Sequence, residues 1–298
     1  MASIQSKVLN IILRYSNMKD SFDKVFDSGK FGKGDVNEPP KKLYSSLNIE
    51  KIQARGRNAF ILKPKNECNK IHILYLHGGG YIYGFNKIHW SFFNTLVQAI
   101  NCTIIAPDYP VAPEFTYEDS FEMVIPIYKK LIAKVGGENV ILMGDSSGGG
   151  FALALAQKMK EENNDKANQI ILISPWLDIT LKNTDISAID SEDPVLGISG
   201  LQKAGKVYAG DADPNDYLLS PINGQIEGLG KISIFIGTKD ILEADTRKFK
   251  SITEEKGINI NYYEYKDMIH VWPLFNLPES KKAIEQIIRL VRSNKLIL

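Results

Sequence analysis

Short apolar runs recur along this chain, with helix-patterned segments between them. Each run is a few residues long, rich in Ile, Leu, Val and Tyr, and bounded by turn residues, as is typical of strands buried on both faces of a sheet. The runs are residues 71–76, 103–106, 140–143, 170–173, 232–236 and 260–265. Helical spacing marks the segments 121–134, 151–162 and 246–256. Alternating strands and helices form βαβ units, so the sequence predicts an α/β fold with a mostly parallel, doubly wound sheet.

Two parts of the chain depart from this alternation. Residues 1–27 carry apolar side chains at helical spacing, and residues 27–42 are rich in Gly, Pro and Lys, which is typical of a loop. Residues 58–64, with 43–49 before them, predict an antiparallel hairpin at one edge of the sheet. Residues 176–230 contain no strong strand pattern and are too long for an ordinary connection, so we expect an inserted cap.

Composition and charge exclude several classes of protein. A hydrophobic fraction of 44% and a charged fraction of 24% exclude a disordered or collagen-like chain. The net charge of +1 argues against a nucleic-acid partner. Two cysteines, Cys68 and Cys102, favour a reducing compartment, and we expect a cytoplasmic protein. The apolar stretch 8–13 is interrupted by Asn10, so it predicts an amphipathic helix, and no run is long enough for a membrane span.

A candidate nucleophile lies in the segment Gly144-Asp-Ser-Ser-Gly148, which matches the pattern G-x-S-x-G. A predicted strand precedes it and a predicted helix follows it, and this strand–turn–helix setting exposes the central serine, Ser146. The free N–H groups at the start of the helix would favour developing negative charge. The alternative is a phosphate-binding loop, but such a loop needs a lysine after the glycines, where Phe151 stands.

A second glycine-rich motif, His77-Gly-Gly-Gly80, follows the predicted strand 71–76. Three glycines allow backbone N–H groups to face a reacting carbonyl oxygen without interference from side chains. We expect Gly78, Gly79 and Gly80 to form an oxyanion loop. The expected donors are the N–H groups of Gly79 and Gly80, joined by the N–H group of Ser147. The alternative is a flexible glycine turn with no chemical role.

The candidate base and acid follow the nucleophile along the chain. Of the four histidines, only His270 lies beyond Ser146, and it follows the last predicted strand by a short loop. Asp240 follows the strand run 232–236 and is the expected acid, which would fix the imidazole tautomer. Asp178 also follows a strand and stays an alternative acid. The scattered His and Cys residues show no metal-ligand spacing, so no metal site is predicted.

From about Ile71 to its last helix, the chain resembles the hormone-sensitive-lipase-like branch of the α/β-hydrolases, a family of carboxylesterases. The segment 107–114 is similar to the family's Y-R-L-A-P-E segment, with Pro110 in the place of Arg. The resemblance implies an α/β-hydrolase fold, with a mostly parallel central sheet flanked by helices and a helical cap. Residues 1–45 would be an N-terminal cap segment and 177–220 a cap insertion. The hydrolase core would then consist of residues 46–176 and 221–298. The family also implies short or medium acyl esters as substrates and no cofactor.

We therefore expect a serine carboxylesterase that hydrolyses short to medium acyl esters through an acyl-serine intermediate. A deacetylase or amidase on the same three residues stays open as an alternative. A non-catalytic small-molecule binder of this fold is disfavoured, because the candidate nucleophile, base and acid are all present. The N-terminal amphipathic helix is expected to belong to the cap or to a dimer contact, with an interfacial lipid anchor as the alternative. An exposed edge strand at residues 260–265 would permit a homodimer.

Overall fold

One sheet of eight strands runs through the part of the chain that the computed structural model describes, residues 2–32 and 35–293. The strands are β1 (Leu47–Ala54), β2 (Arg57–Pro64), β3 (His72–Leu76), β4 (Thr103–Pro107), β5 (Val140–Asp145), β6 (Gln169–Ile173), β7 (Lys231–Lys239) and β8 (Asn261–Ile269). Their order across the sheet is β1-β2-β4-β3-β5-β6-β7-β8. Strands β1, β2 and β4 pair antiparallel, and every later pair is parallel. The predicted mostly parallel sheet is confirmed.

Helices cover both faces of this sheet. In the described residues they are α1 (Ile4–Tyr15), α2 (Ser21–Ser28), α3 (Leu43–Ser46), α4 (Lys87–Ile100), α5 (Tyr117–Val135), α6 (Ser147–Glu161), α7 (Ile186–Asp190), α8 (Ile198–Ala209), α9 (Glu243–Glu255) and α10 (Pro278–Ser293). Helices α4 and α10 pack in one apolar core, and α5, α6 and α9 pack in the other. Strands β4, β5 and β6 are buried along their whole length between these layers, which explains their unbroken apolar sequences.

The two outer strands differ in extent from the predicted runs. Residues 43–46 form the short helix α3, so β1 begins at Leu47 rather than at residue 43. Strand β8 continues to Ile269, beyond the predicted end at residue 265. Both are edge strands with exposed polar residues along much of their length. A search for apolar runs therefore misses part of each strand.

The N-terminal segment and the insertion after β6 pack against each other. The predicted N-terminal helix is present but is interrupted near Asn17, whose φ is +53°. Helix α2 packs on α8, where Gly200 lies against the side chain of Phe22. Arg14 at the end of α1 donates to the carbonyl oxygens of Ser191 and Glu192. The two segments that are distant in sequence thus lie together over one end of the sheet.

Candidate active site

Ser146 lies at the sharp turn between β5 and α6. Its backbone has φ +53° and ψ −126°, a strained conformation for a residue with a side chain. The turn brings the backbone so close to its neighbours that only glycine fits beside it. A Cβ atom on Gly148 would overlap the carbonyl oxygens of Leu76 and His77, and one on Gly144 would overlap the carbonyl oxygen of Gly148. The G-x-S-x-G spacing is therefore a steric requirement of this turn.

The structure brings Ser146, His270 and Asp240 together in one hydrogen-bonded chain. The Nε2 atom of His270 lies 2.9 Å from the Ser146 Oγ atom, and its Nδ1 atom lies 2.9 Å from Asp240 Oδ2. The other candidate acid, Asp178, accepts instead from the backbone N–H of Thr180 at 2.8 Å. The geometry therefore favours Asp240 over Asp178 as the partner of the imidazole.

Opposing effects act on the charge of the His270 imidazole. Burial by itself lowers its pKa, because the cation loses its hydration. The carboxylates of Asp240, Asp193 and Asp145 favour the cation and outweigh burial, so the pKa lies above its ordinary value of 6.5. A base that accepts a proton readily and holds the resulting cation beside Asp240 suits the removal of the Ser146 proton.

The glycine motif after β3 lies directly beside Ser146, since a Cβ atom on Gly78 would be 3.0 Å from the Ser146 Cβ atom. The N–H group of Gly78 donates to the Asp145 carboxylate at 3.0 Å and so fastens the loop. Within residues 2–32 and 35–293, the backbone N–H groups of Gly79, Gly80 and Ser147 donate no hydrogen bond to a protein acceptor. Those three donors are the ones that the sequence predicted for an oxyanion.

Sequence reasoning missed a buried network below this loop. The carboxylate of Asp145 accepts from the hydroxyl of Tyr75 at 2.7 Å and lies 3.3 Å from His89 Nε2. Asn86 and His89 form a capping box at the start of α4, in which His89 Nδ1 accepts from the Asn86 N–H. The proton is therefore on Nε2 and points at Asp145. Burial raises the pKa of Asp145, but these donors outweigh it and lower the pKa. The spacing Asn86-x-x-His89 was the available signal.

Phe22 of α2 lies over the outer side of the glycine motif. A Cβ atom on Gly80, whose φ is +60°, would overlap the Phe22 ring, so the ring touches the backbone of the motif. The ring also packs edge-on against Tyr83, with ring centroids 5.6 Å apart. In the sequence, Phe22 is one of several apolar residues at helical spacing in residues 1–27. That spacing does not indicate a contact between Phe22 and Gly80. The N-terminal segment therefore contacts the glycine motif next to Ser146.

Two further structural features concern metals and membranes. Among the residues that the structure describes, no group of three or more His, Cys, Asp and Glu side chains is arranged to hold a metal ion. No helix in the same part of the chain has the length and apolar character needed to cross a membrane.

Comparisons with known proteins show which family this chain is similar to. A family model described as alpha/beta hydrolase fold matches residues 73–274. An esterase of Acinetobacter venetianus is 28% identical over 252 residues, or 83% of each chain. An acetyl-hydrolase of Streptomyces hygroscopicus is 28% identical over 216 residues, or 72% of each chain. The solved structure of an esterase/lipase from an uncultured bacterium is 26% identical with a TM-score of 0.83, covering 98% of this chain and 99% of that one. The resemblance drawn from the motifs is confirmed, and the chain belongs to the α/β hydrolase fold family.

Proposed function

We propose that this protein is a serine carboxylic ester hydrolase that uses Ser146 as nucleophile, His270 as base and Asp240 as the orienting acid. The observation that carries the proposal is the unbroken hydrogen-bonded chain from Ser146 Oγ through both ring nitrogens of His270 to Asp240. The esterase and acetyl-hydrolase relatives support the same reaction class. A small-molecule ester is the expected substrate.

Acylation begins when Ser146 Oγ attacks the ester carbonyl carbon while its proton passes to His270 Nε2. The carbonyl oxygen becomes an oxyanion, which the N–H groups of Gly79, Gly80 and Ser147 receive. Asp240 stabilises the imidazolium that has formed. When the carbon–oxygen bond to the alcohol breaks, His270 returns its proton to the leaving oxygen, and the alcohol departs from an acyl-serine.

Deacylation repeats these steps with water as the nucleophile. His270, neutral again, accepts a proton from the water whose oxygen attacks the acyl-serine carbonyl carbon. The same N–H groups receive the second oxyanion. The bond to Ser146 Oγ then breaks, His270 returns the proton to that oxygen, and the carboxylic acid leaves.

We assign the cap to residues 1–45 and 177–220 and propose that it restricts the acyl group to short or medium length. The packing of α2 on α8 and the position of Phe22 over the backbone of Gly80 support this assignment. An aromatic ring held against the oxyanion loop would limit the space for a long acyl chain. The acetyl-hydrolase relative is consistent with a small acyl group.

Free Cys68 and Cys102 support a cytoplasmic location.

Hydrolysis of p-nitrophenyl esters from acetate to laurate tests this function. We expect kcat/KM to be highest for the short and medium esters and to fall steeply toward laurate, because Phe22 and α8 limit the acyl side. Release of p-nitrophenol, measured at each chain length, gives the profile. The absence of hydrolysis at every length, in a protein shown to be folded, would contradict the proposal.

The variant Phe22→Ala tests the assignment of the cap to acyl selection. Removing the ring opens space above the oxyanion loop, so the preferred acyl length should increase while acetate hydrolysis changes little. Phe26→Ala is the matched control, because Phe26 lies on the same helix but packs against Phe31, with ring centroids 5.3 Å apart. Identical chain-length profiles for the wild type and both variants would refute the role of Phe22.

The pH dependence of kcat/KM should report His270. The base must be neutral to accept the Ser146 proton, and its pKa lies above 6.5. Activity should therefore fall as the pH drops through this raised pKa, with an acidic midpoint above pH 6.5. Initial rates at low substrate concentration between pH 5 and 9 would measure it, and a midpoint well below 6.5 would contradict the net effect of the surrounding carboxylates.

A further inference from the structure

Besides Asp240 and Asp145, a further buried carboxylate, Asp193, lies close to the triad and comes from the insertion. Its residue is 2% exposed and is located between α7 and α8. One oxygen, Oδ1, accepts from the N–H groups of Val195 at 2.7 Å and Leu196 at 2.9 Å, in the turn that leads to α8. The other oxygen, Oδ2, accepts from the N–H group of Ile241 at 2.9 Å. Ile241 directly follows Asp240, so Asp193 joins the insertion to the loop of the triad acid.

The segment that carries Asp193 is held from outside by basic side chains. Arg14 of α1 donates to the carbonyl oxygens of Ser191 at 3.0 Å and Glu192 at 2.9 Å. Lys239, at the end of β7, forms an ion pair with the Glu192 carboxylate at 3.4 Å. The hydrogen bonds from Arg14 to the two carbonyl oxygens anchor this segment to the N-terminal helix. The Lys239–Glu192 ion pair is exposed to solvent and adds little to this anchoring.

The turn before α8 does not require the negative charge of the Asp193 carboxylate. A neutral Asn or Ser side chain could accept hydrogen bonds in the turn before α8 without burying a charge. Burial and the nearby Asp240 raise the pKa of Asp193 to about 6, while His270 and the N–H groups of Leu196 and Ile241 lower it. A buried carboxylate is costly even with these hydrogen bonds, and the positive charge that forms on His270 offsets part of the cost. The bond from Ile241 holds this charge next to the Asp240 loop, where it favours a cation on His270.

We propose that Asp193 is a positioning residue of the triad, which holds the Asp240 loop through Ile241 and adds a further carboxylate charge near His270. The inference rests on the proposed function, because it assumes that His270 becomes a cation during catalysis. It couples the docking of the insertion to the geometry of the acid. The insertion thus contributes to the triad itself, besides forming part of the cap.

The charged groups around His270 define what a pH experiment would measure. Asp240 follows β7, Asp145 ends β5 and Asp193 comes from the insertion, and all three favour the imidazolium. Outside this group, Glu192 is paired with Lys239 and Arg14 at the surface. Removal of the Asp193 charge should lower the pKa of His270, whereas removal of the Glu192 charge should have a much smaller effect because solvent screens it.

The variant Asp193→Asn tests the proposal. The Asn side chain has one acceptor oxygen, whereas the Asp carboxylate has two. If that oxygen keeps the hydrogen bonds from Val195 and Leu196, the hydrogen bond from Ile241 is lost. We expect kcat for p-nitrophenyl acetate to fall on the order of tenfold to a hundredfold, because misplacement of a catalytic group has effects of this size. The acidic limb of kcat/KM should also move to lower pH, which a purely structural loss would not cause. Glu192→Gln is the matched control and should retain wild-type kcat and the wild-type limb.

The rate at which a fluorophosphonate probe labels Ser146 separates failure of this inference from failure of the proposed function. If the wild type neither hydrolyses esters nor reacts with the probe, the proposed function is wrong and the inference is wrong with it. If the wild type reacts, and Asp193→Asn matches Glu192→Gln in labelling rate and in pH dependence, only the role of Asp193 is refuted. A slower rate with a shifted limb in Asp193→Asn alone supports the role.

If circular dichroism shows that Asp193→Asn does not fold, Arg14→Gln tests the same coupling from the surface. This change releases the carbonyl oxygens of Ser191 and Glu192 and loosens the segment that carries Asp193. We expect kcat to fall severalfold with KM unchanged. Lys24→Gln, an exposed change on α2, should leave kcat unaltered. Equal kcat values for the two variants and the wild type would overturn the proposal.

Discussion

Replacement of Ser146 by Ala should lower kcat for p-nitrophenyl acetate by on the order of 10⁴- to 10⁶-fold. The Oγ atom forms the bond to the acyl group, and no other hydroxyl in the described structure lies at hydrogen-bond distance from His270 Nε2. The fold should survive, because Ala keeps the Cβ atom that the strained turn already accommodates. Steady-state kinetics measures the loss, and circular dichroism with thermal melting checks the fold.

Ser251→Ala is the matched control for that substitution. Ser251 is exposed on α9, and its hydroxyl donates to the carbonyl oxygen of Arg247 on the same helix. The same chemical change at this position should leave kcat at the wild-type value. A Ser146→Ala protein that retains substantial activity would show that the hydrolysis does not depend on an acyl-serine at residue 146.

Replacement of Asp240 by Asn should reduce kcat by about 10⁴-fold. The Asp240 carboxylate accepts from His270 Nδ1 and so directs the lone pair of Nε2 toward Ser146. An Asn side chain can instead donate to Nδ1, which stabilises the tautomer with a proton on Nε2. That tautomer cannot accept the Ser146 proton. The loss should appear in kcat, with little change in KM for a small ester.

Asp178→Asn is the matched control, because Asp178 also follows a parallel strand and was the alternative acid. Its Oδ1 atom accepts from Thr180 and Ser220 and makes no contact with His270. We expect kcat close to that of the wild type. If Asp178→Asn is inactive and Asp240→Asn is fully active, the acid has been assigned to the wrong residue.

Local sequence predicted the nucleophile turn and the glycine motif because both depend on short-range geometry. A turn that brings backbone atoms of Gly144 and Gly148 into contact requires glycine at these positions, so the pattern is visible in the sequence. Strong apolar runs likewise marked the central strands, since strands covered by helices on both faces have few polar residues. The edge strands β1 and β8 carry exposed polar residues, and their bounds were predicted less well.

Contacts between distant parts of the chain could not be predicted in this way. Phe22 touches the backbone of Gly80, and His89 lies 3.3 Å from Asp145. The sequence around Phe22 and around His89 does not indicate either contact. Asp193 is the clearest case, because an aspartate before a Pro in an inserted segment resembles any loop residue. Its burial, and its bond to Ile241, exist only after the insertion has packed on the core.

The sequence by itself determined the α/β class, the strained turn at Ser146 and the glycine motif, and it predicted the chain order of the proposed nucleophile, acid and base. These follow from steric rules and periodicities that act over a few residues or from the order of strands. Only the tertiary structure shows that Asp240, and not Asp178, contacts His270, since both follow parallel strands and the contact depends on which loop reaches the imidazole. It also decided which charges surround the imidazole, because electrostatic energies depend on distances in space and on burial, which sequence separation does not specify.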